Sequence, residues 1–254
     1  MKAIVLGCGT SSGVPRIGND WGDCDPGEPR NARSRASIVV ESATTRILVD
    51  TSPDMRSQLL AAQIDRIDAV IWTHDHADHC HGIDDLRQLY HASGRPVRGY
   101  GRNHTMDSLT RRFSYVFKGN AGYPASCERH RLEDNVRIGD IDVTAIDLPH
   151  GPITTAGLRF AGEGATIGYA TDFSALDEDA IAFFSRLDAW IVDALRVREH
   201  PTHPHLALTL AAIEACHPKA AILTHMDQSM DYATLLASLP VGVVPGHDGL
   251  VVAP

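Results

Sequence analysis

No segment of this chain approaches the roughly eighteen uninterrupted apolar residues of a membrane-spanning helix, which excludes an integral helical membrane protein. The opening Met1-Lys2-Ala3-Ile4-Val5-Leu6 breaks at Gly7, too soon for a signal peptide, and reads as a first strand. Cysteine is sparse. The five residues, at 8, 24, 80, 127 and 216, form no C-x-x-C pair and leave one over if the others bridge. That pattern fits reduced thiols and a cytoplasmic location. Positive charge is also short: 23 Lys and Arg stand against 32 Asp and Glu, a net charge of -9. Such a balance argues against a long nucleic acid as partner, although one small anion needs only a local positive field. Repeats, low-complexity tracts and obvious linkers are absent, and 254 residues with 43% hydrophobic content read as one domain, residues 1–254, with a sizeable core.

What the chain does have is histidine in one place. Thr73-His74-Asp75-His76-Ala77-Asp78-His79 follows the apolar run Asp68-Ala69-Val70-Ile71-Trp72, which reads as a short buried strand. The cluster therefore lies at a strand's C-terminal end, where open sheets place their sites. Extended spacing puts His74, His76 and Asp78 on one side, and a turn brings His79 to the same space. Imidazoles and a carboxylate at that density suit a divalent metal better than a solvated loop.

This spacing resembles the His-x-His-x-Asp-His signature of the metallo-β-lactamase superfamily. The likeness extends over nearly the whole chain and is closest to the phosphoribosyl 1,2-cyclic phosphate phosphodiesterase branch, with tRNase Z more distant. It implies an α/β fold, a four-layer αβ/βα sandwich of two mixed β-sheets flanked by helices. It further implies His74, His76 and His150 around one metal ion, Asp78, His79 and His225 around a second, and Asp172 between them. An oxygen bridge suits a pair of harder ions; Mn, Zn and Fe all accept such a set. Two such ions sit roughly 3.5–4 Å apart and lower the pKa of a shared water to about 7. Some relatives hold a structural zinc with clustered loop cysteines and a histidine three residues after the last ligand. Here only Cys24 stands in the loop and Gln228 follows His225, so no structural zinc is expected.

Around these ligands, residues 37–41 and 46–50 read as a hairpin, and 97–100, 136–138, 141–146, 153–160, 166–169, 189–193 and 220–225 as further strands. Helical patterns cover 53–62, 82–93, 103–112, 177–186 and 206–216, and 113–128 reads as an irregular excursion. The polar loop 16–35 is expected to be held by Arg30, Arg33 and Arg35 pairing with its carboxylates. Asp50 ends a strand, either capping the helix near Pro53 or orienting the ligand loop. The turn Gly7–Pro15, with Ser11 and Ser12, either offers N–H groups to an anion or is a tight turn needing positive φ. Tyr123, among the aromatics of 113–128, lines a substrate pocket or covers core. Asp248 is an orienting carboxylate or a turn residue.

In His200-Pro201-Thr202-His203-Pro204-His205 the prolines keep the chain extended, so His203 and His205 share a side. The resemblance implies a histidine here that protonates a leaving group, His203 first and His205 second, with Asp78 contributing at the metal. The function implied is hydrolysis of a small phosphodiester such as a ribose cyclic phosphate, a cyclic nucleotide or a short oligonucleotide. Two alternatives stand beside it: thioester or lactone hydrolysis on the same metal site, and a metal- or nucleotide-binding protein without turnover. A homodimer is compatible with the sequence.

Overall fold

The computed structural model describes residues 1–254. Its first sheet holds β1 (Lys2–Gly7), β2 (Ser37–Glu41), β3 (Arg46–Val49), β4 (Ala69–Ile71), β5 (Val97–Gly101) and β6 (Cys127–Arg131), closed by a last strand, β14 (Val251–Val252). The second sheet holds β7 (Asn135–Ile138), β8 (Ile141–His150), β9 (Ile153–Gly162), β10 (Ala165–Ala170), β11 (Ala189–Asp193), β12 (Ala221–Thr224) and β13 (Val243–Pro245). The strand orders are β14-β1-β2-β3-β4-β5-β6 and β13-β12-β11-β10-β9-β8-β7. Both sheets are mixed in the same way. Pairings are antiparallel from β14 to β3 and from β7 to β10, then parallel from β3 to β6 and from β10 to β13.

The layers follow from period-two alternation, which sends neighbouring side chains to opposite faces. Ile38, Val40, Ile47, Val49 and Ile71 join the core shared with Leu158, Ile167, Tyr169 and Ile191 of the second sheet. Val39, Leu48 and Val70 point the other way. They pack on α1 (Met55–Ala61), α3 (Leu86–Ser93), α4 (Asn103–Arg112) and α5 (Ser114–Lys118) through Met55, Leu59, Leu86, Met106, Leu109 and Val116. On the second sheet, α6 (Glu178–Phe184) brings Phe184 onto Trp190 with ring centroids 5.0 Å apart. Gly168 lies beneath them, where a Cβ would meet Leu187 at 2.3 Å, Trp190 at 2.9 Å and Phe184 at 3.3 Å, so a side chain there would force these three to shift. The helix α7 (Leu206–Cys216) adds Ala212, Ile213 and Cys216 to the same core. The result is the four-layer αβ/βα sandwich.

Several elements differ from the sequence reading. Residues 113–128 are not wholly irregular, since α5 and the start of β6 lie there. α5 is too short to show a helical period, and β6 is a polar edge strand with four of five residues at least partly exposed. α8 (Tyr232–Ser238) is a further helix, capped by Asp231, whose side chain accepts from Thr234 N. The ligand turn itself contains a one-turn helix, α2 (Ala77–Cys80), followed by a 3₁₀ turn at Ile83–Asp85 before α3 begins.

The loop 16–35 is held differently from the expectation. Arg30 pairs with Glu28 inside the loop, but Arg35 reaches outward to Asp54 at 3.0 Å. Arg33 takes no carboxylate. Its buried guanidinium donates to Met230 O at 2.6 Å, Asp227 O at 3.3 Å and Asn31 Oδ1 at 3.2 Å, with Cys24 Sγ 3.9 Å away. A buried cation whose two terminal nitrogens donate to carbonyl oxygens thus ties this loop to the segment after β12.

Candidate metal centre

Parallel strands end on the same side of a sheet, so their carboxyl ends assemble the site. Asp50 follows β3, the histidine turn follows β4, Asp172 lies two residues past β10, Asp193 ends β11 and His225 follows β12. His150 arrives at the same edge as the last residue of β8, which runs in the direction of β10 because both pair antiparallel with β9. Asp50, Asp172 and His225 all take left-handed backbone conformations, with φ of 63°, 56° and 57°. Non-glycine residues adopt that region at a cost of about 1–3 kcal/mol, and functional sites are where such strain collects.

Three overlapping groups form here. The ligand atoms of Asp172, Asp193, His203 and His225 lie within 4.8 Å of one another, as do those of two further groups, His74, His76, His150 and Asp172 on one hand and Asp78, His79 and His225 on the other. The two carboxylate oxygens of Asp172 divide between them. Oδ1 stands 4.0 Å from His74 Nε2 and 3.8 Å from His150 Nε2, while Oδ2 stands 3.2 Å from His79 Nε2 and 3.6 Å from His225 Nε2. Asp78 Oδ2 is 3.3 Å from His79 Nε2 and 3.5 Å from His225 Nε2. His76 alone among the imidazoles is exposed, at the N-terminus of α2.

The outward nitrogens are fixed from behind. Asp50 accepts from Thr73 N and Thr73 Oγ1, each at 2.8 Å, and from His79 Nδ1 at 2.7 Å, which turns His79 Nε2 to the centre. His150 Nδ1 donates to Thr202 O at 3.0 Å, and His74 Nδ1 is 3.0 Å from Thr73 Oγ1. Asp50 therefore orients the ligand loop and does not cap α1, whose start lies at Asp54. Such outer partners hold a ligand's tautomer and raise its basicity.

The residues fit divalent cations. His74 Nε2 and His79 Nε2 are buried without a hydrogen-bond partner, as are His225 Nδ1 and Asp193 Oδ1. Interior polar atoms are rarely left so. His76 Nδ1 and His150 Nε2 share a hydrogen bond at 3.3 Å, a separation at which a cation could replace the proton between them. In the metal-free protein, burial drives His74 well below the usual imidazole range, reinforced by His79. Burial also opposes charge on His79 and His225, yet carboxylates outweigh it. Asp172, Asp78 and Asp50 hold His79 well above its ordinary value, and Asp172 and Asp193 push His225 up to about 9. Burial works against Asp172 as well, and the imidazoles of His225 and His79 hold it well below the carboxylate range. Carboxylates and imidazoles thus compensate one another's charge in this buried cluster.

The 194–205 loop separates the two histidines that the sequence left as alternatives. His203 Nδ1 is 3.2 Å from Asp193 Oδ2 and 3.7 Å from Asp172 Oδ1, and its ring stacks on His225 at 5.1 Å and 8°. His205 caps the start of α7, pairs by its backbone with Arg196, and is not in any of the ligand groups. Sequence reasoning missed Asp193, whose Oδ2 also accepts from Asp172 N at 2.8 Å. Its signal was present: Ala189–Asp193 is an apolar strand ending in aspartate, the pattern that singled out Asp50 and Asp172. Thr202, which holds His150 through its carbonyl, left no such signal, because a main-chain acceptor carries no residue type.

Three further candidates lie elsewhere. Asp248 is half-buried, belongs to none of the ligand groups, and accepts from Ser34 N at 2.8 Å, Ser34 Oγ at 2.5 Å and Cys8 N at 3.2 Å, with desolvation raising its carboxyl to about 6 against these donors. It clasps the Gly7–Pro15 turn. In that turn Gly9, Thr10 and Gly13 direct their N–H groups to Ser34 O, Met226 O and Thr10 O, so the turn braces the residue after His225 and has fewer donors for an anion. Ser11 and Ser12 are exposed at its tip, and Ser12 Oγ bonds Gly13 O. Tyr123 is 66% exposed and borders a shallow hollow with Asp84, Arg87 and Tyr115, lined by none of the ligands.

A model of the Beta-lactamase superfamily domain matches residues 45–226, the span from β3 to just past His225. The chain belongs to the metallo-β-lactamase superfamily. Within it the chain falls in the PhnP-like branch. A crystal structure described as a new diphosphatase from the PhnP family matches 100% of this chain and 97% of its own at 33% identity and a TM-score of 0.91. Human tRNase Z, short form, shares the fold at a TM-score of 0.72 and 20% identity, over 100% of this chain and 99% of its own. An octanoyltransferase of Porphyromonas gingivalis is 32% identical over 98% of this chain. The match takes in 51% of that protein, and the chain spans little more than half the length of the curated relatives it matches. The chain thus combines the fold of the superfamily with imidazoles and carboxylates gathered as a metal centre requires. No helix is long and apolar enough to cross a membrane.

Proposed function

We propose that the chain is a binuclear metal-dependent phosphodiesterase acting on a small phosphate-containing substrate: a ribose cyclic phosphate, a cyclic nucleotide or a short oligonucleotide. The observation that carries this reading is the division of the Asp172 oxygens between two ligand groups, with His203 beside them on Asp193. His74, His76 and His150 would hold one ion and Asp78, His79 and His225 the other, with Asp172 contributing to each; manganese and zinc suit the set, and iron fits it too. Bound there, a pair of divalent ions supplies an activated water and charge stabilisation for the phosphoryl oxygens.

The chain's own residues do the rest. Asp50 and Thr202 O keep the ligand imidazoles aimed. Asp193 takes the Nδ1 proton of His203 in a hydrogen bond, leaving Nε2 as the atom that carries a proton toward the leaving group. An alkoxide leaves poorly without a proton, and a positioned acid contributes about 10² to 10⁴ in rate. The net charge of -9 leaves a long nucleic acid the poorer substrate.

A second reading, diphosphate hydrolysis, is favoured by the diphosphatase at 33% identity. The same ligand set serves it, but a phosphate leaving group needs little protonation, so His203 matters less there. Acyl transfer of the kind named for the octanoyltransferase gains no support from cysteine: all five thiols are buried, and burial raises those of Cys8, Cys24, Cys80, Cys127 and Cys216. A panel of 2′,3′-cyclic AMP, ADP-ribose, an acyl thioester and a lactone, each with metal-loaded protein, tests the reading. Preference for the cyclic diester supports it; preference for ADP-ribose moves the function to diphosphates. Turnover of the thioester or lactone alone, or of nothing, overturns it.

A further inference from the structure

His200 lies outside the candidate ligand groups, yet its ring too has a fixed partner. Thr202 N approaches His200 Nδ1 at 3.3 Å, and Thr202 Oγ1 approaches the same atom at 3.4 Å. A backbone N–H can only donate. His200 Nδ1 must therefore present its lone pair, and the neutral ring carries its proton on Nε2. Burial and the neighbouring His203 and Arg196 lower the ring's proton affinity, in keeping with a neutral imidazole.

The place of this ring matters as much as its tautomer. His203 packs against His225 and His150 on the metal side, with centroids at 5.1 and 4.8 Å. On its other side, edge to face at 5.0 Å, lies His200. His200 is thus the next ring outward from the acid, half-buried at the rim. The same residue that contacts it, Thr202, accepts from the ligand His150 through its carbonyl, and the turn at Gly151 packs against the Thr202 methyl, where a Cβ would stand 3.1 Å away. The position of His200 is therefore tied to the ligand sphere through one residue.

We propose that His200 is a specificity-determining residue, a neutral imidazole that donates from Nε2 to an acceptor oxygen on the leaving-group side of the substrate. This rests on the reading of His203 as the group facing the leaving oxygen. The substrates so selected have a leaving group that carries further acceptor oxygens close to the scissile bond, as a ribose does and a p-nitrophenolate does not.

Two substitutions separate this role from a merely structural one. The Oδ1 of His200→Asn reproduces the acceptor that Thr202 needs and lacks the distal donor; the Nε2 of His200→Gln reproduces the distal donor and lacks the acceptor. The expected result is a KM for 2′,3′-cyclic AMP about tenfold higher in His200→Asn, the size of one hydrogen bond to a charged acceptor, with most of the loss restored in His200→Gln. The loss should be larger for cyclic AMP than for bis(p-nitrophenyl) phosphate. A loop staple gives the reverse order, Asn tolerated and Gln impaired, and that order overturns the proposal. Nitrogen NMR of the ring provides a readout without turnover: a proton on Nδ1 also overturns it. Calorimetric binding of AMP to metal-loaded protein keeps the two readings apart. A wild type that binds AMP but cleaves no diester sinks the phosphodiesterase reading alone, and about tenfold weaker AMP binding by His200→Asn still supports the donor. AMP binding that is absent from the wild type, or unchanged in His200→Asn, overturns the role of His200.

Discussion

Replacing Asp193 by Asn removes one charge while leaving the shape of the site intact. Oδ2 accepts from Asp172 N at 2.8 Å and from His203 Nδ1 at 3.2 Å, whereas Oδ1 is buried with no partner. An asparagine carbonyl can keep the first position and place its amide at the second. What is lost is the charged acceptor behind His203. A hydrogen bond to a charged group contributes about 1.5–3 kcal/mol against about 0.5–1.5 for a neutral one, so the floor of the effect is about 1 kcal/mol, roughly fivefold. The ceiling is loss of the acid altogether, about 10² to 10⁴. That loss should fall on leaving groups that need a proton. The assay is kcat for 2′,3′-cyclic AMP beside bis(p-nitrophenyl) phosphate, whose leaving phenolate is weakly basic, with metal content measured on the same samples because His225 Nδ1 lies 3.7 Å from Asp193. Equal losses on both substrates at unchanged metal content would refute the reasoning.

Asp50→Asn should weaken metal binding about 10- to 100-fold, since its oxygens hold both Thr73 and His79, and calorimetric titration of the metal-free protein reads this directly. The metal-free protein should also respond to alkali. His225 rises from 6.5 to about 9 on folding, so its contribution to stability is full below pH 6.5 and is lost as pH climbs through 9. Thermal melts in chelator from pH 6 to 10 should therefore fall over that range, while metal affinity rises as the ion displaces the proton; a flat profile counts against the assignment. Arg33→Ala removes a buried cation with three acceptors and should cost about 3 kcal/mol or more, a fall in Tm of roughly 6–12 °C, with faster proteolysis in 16–35. An unchanged melt would mean that the loop is anchored elsewhere.

The strand ends were legible in the sequence because buried parallel strands are short apolar runs, and a polar residue at their close stands out. Asp50, the His74–His79 turn, Asp172 and His225 all announce themselves this way. β6 was not legible, because an edge strand of Cys-Glu-Arg-His-Arg has little apolar pattern to read. α5 is only five residues long. Asp193 carries the same strand-end signal as Asp172, yet a carboxylate that partners another carboxylate's backbone and a non-ligand histidine has no spacing rule to expose it. The choice between His203 and His205 turns on which ring faces Asp193, a long-range fact that alternation along one segment does not contain. Arg33 was anticipated as a loop anchor, but its partners are carbonyls, and main-chain acceptors are invisible to residue type.

The central claim is that Asp172 joins two metal ions into one phosphodiester-cleaving centre. It is tested most directly by hydrolysis of bis(p-nitrophenyl) phosphate beside the monoester p-nitrophenyl phosphate, using manganese-loaded protein and Asp172→Ala, with bound metal counted in both. The account predicts diester cleavage and two equivalents of metal in the wild type, and loss of both activity and the second equivalent in the variant. Metal-replete protein that cleaves neither ester, or a variant that keeps diester cleavage, would contradict it.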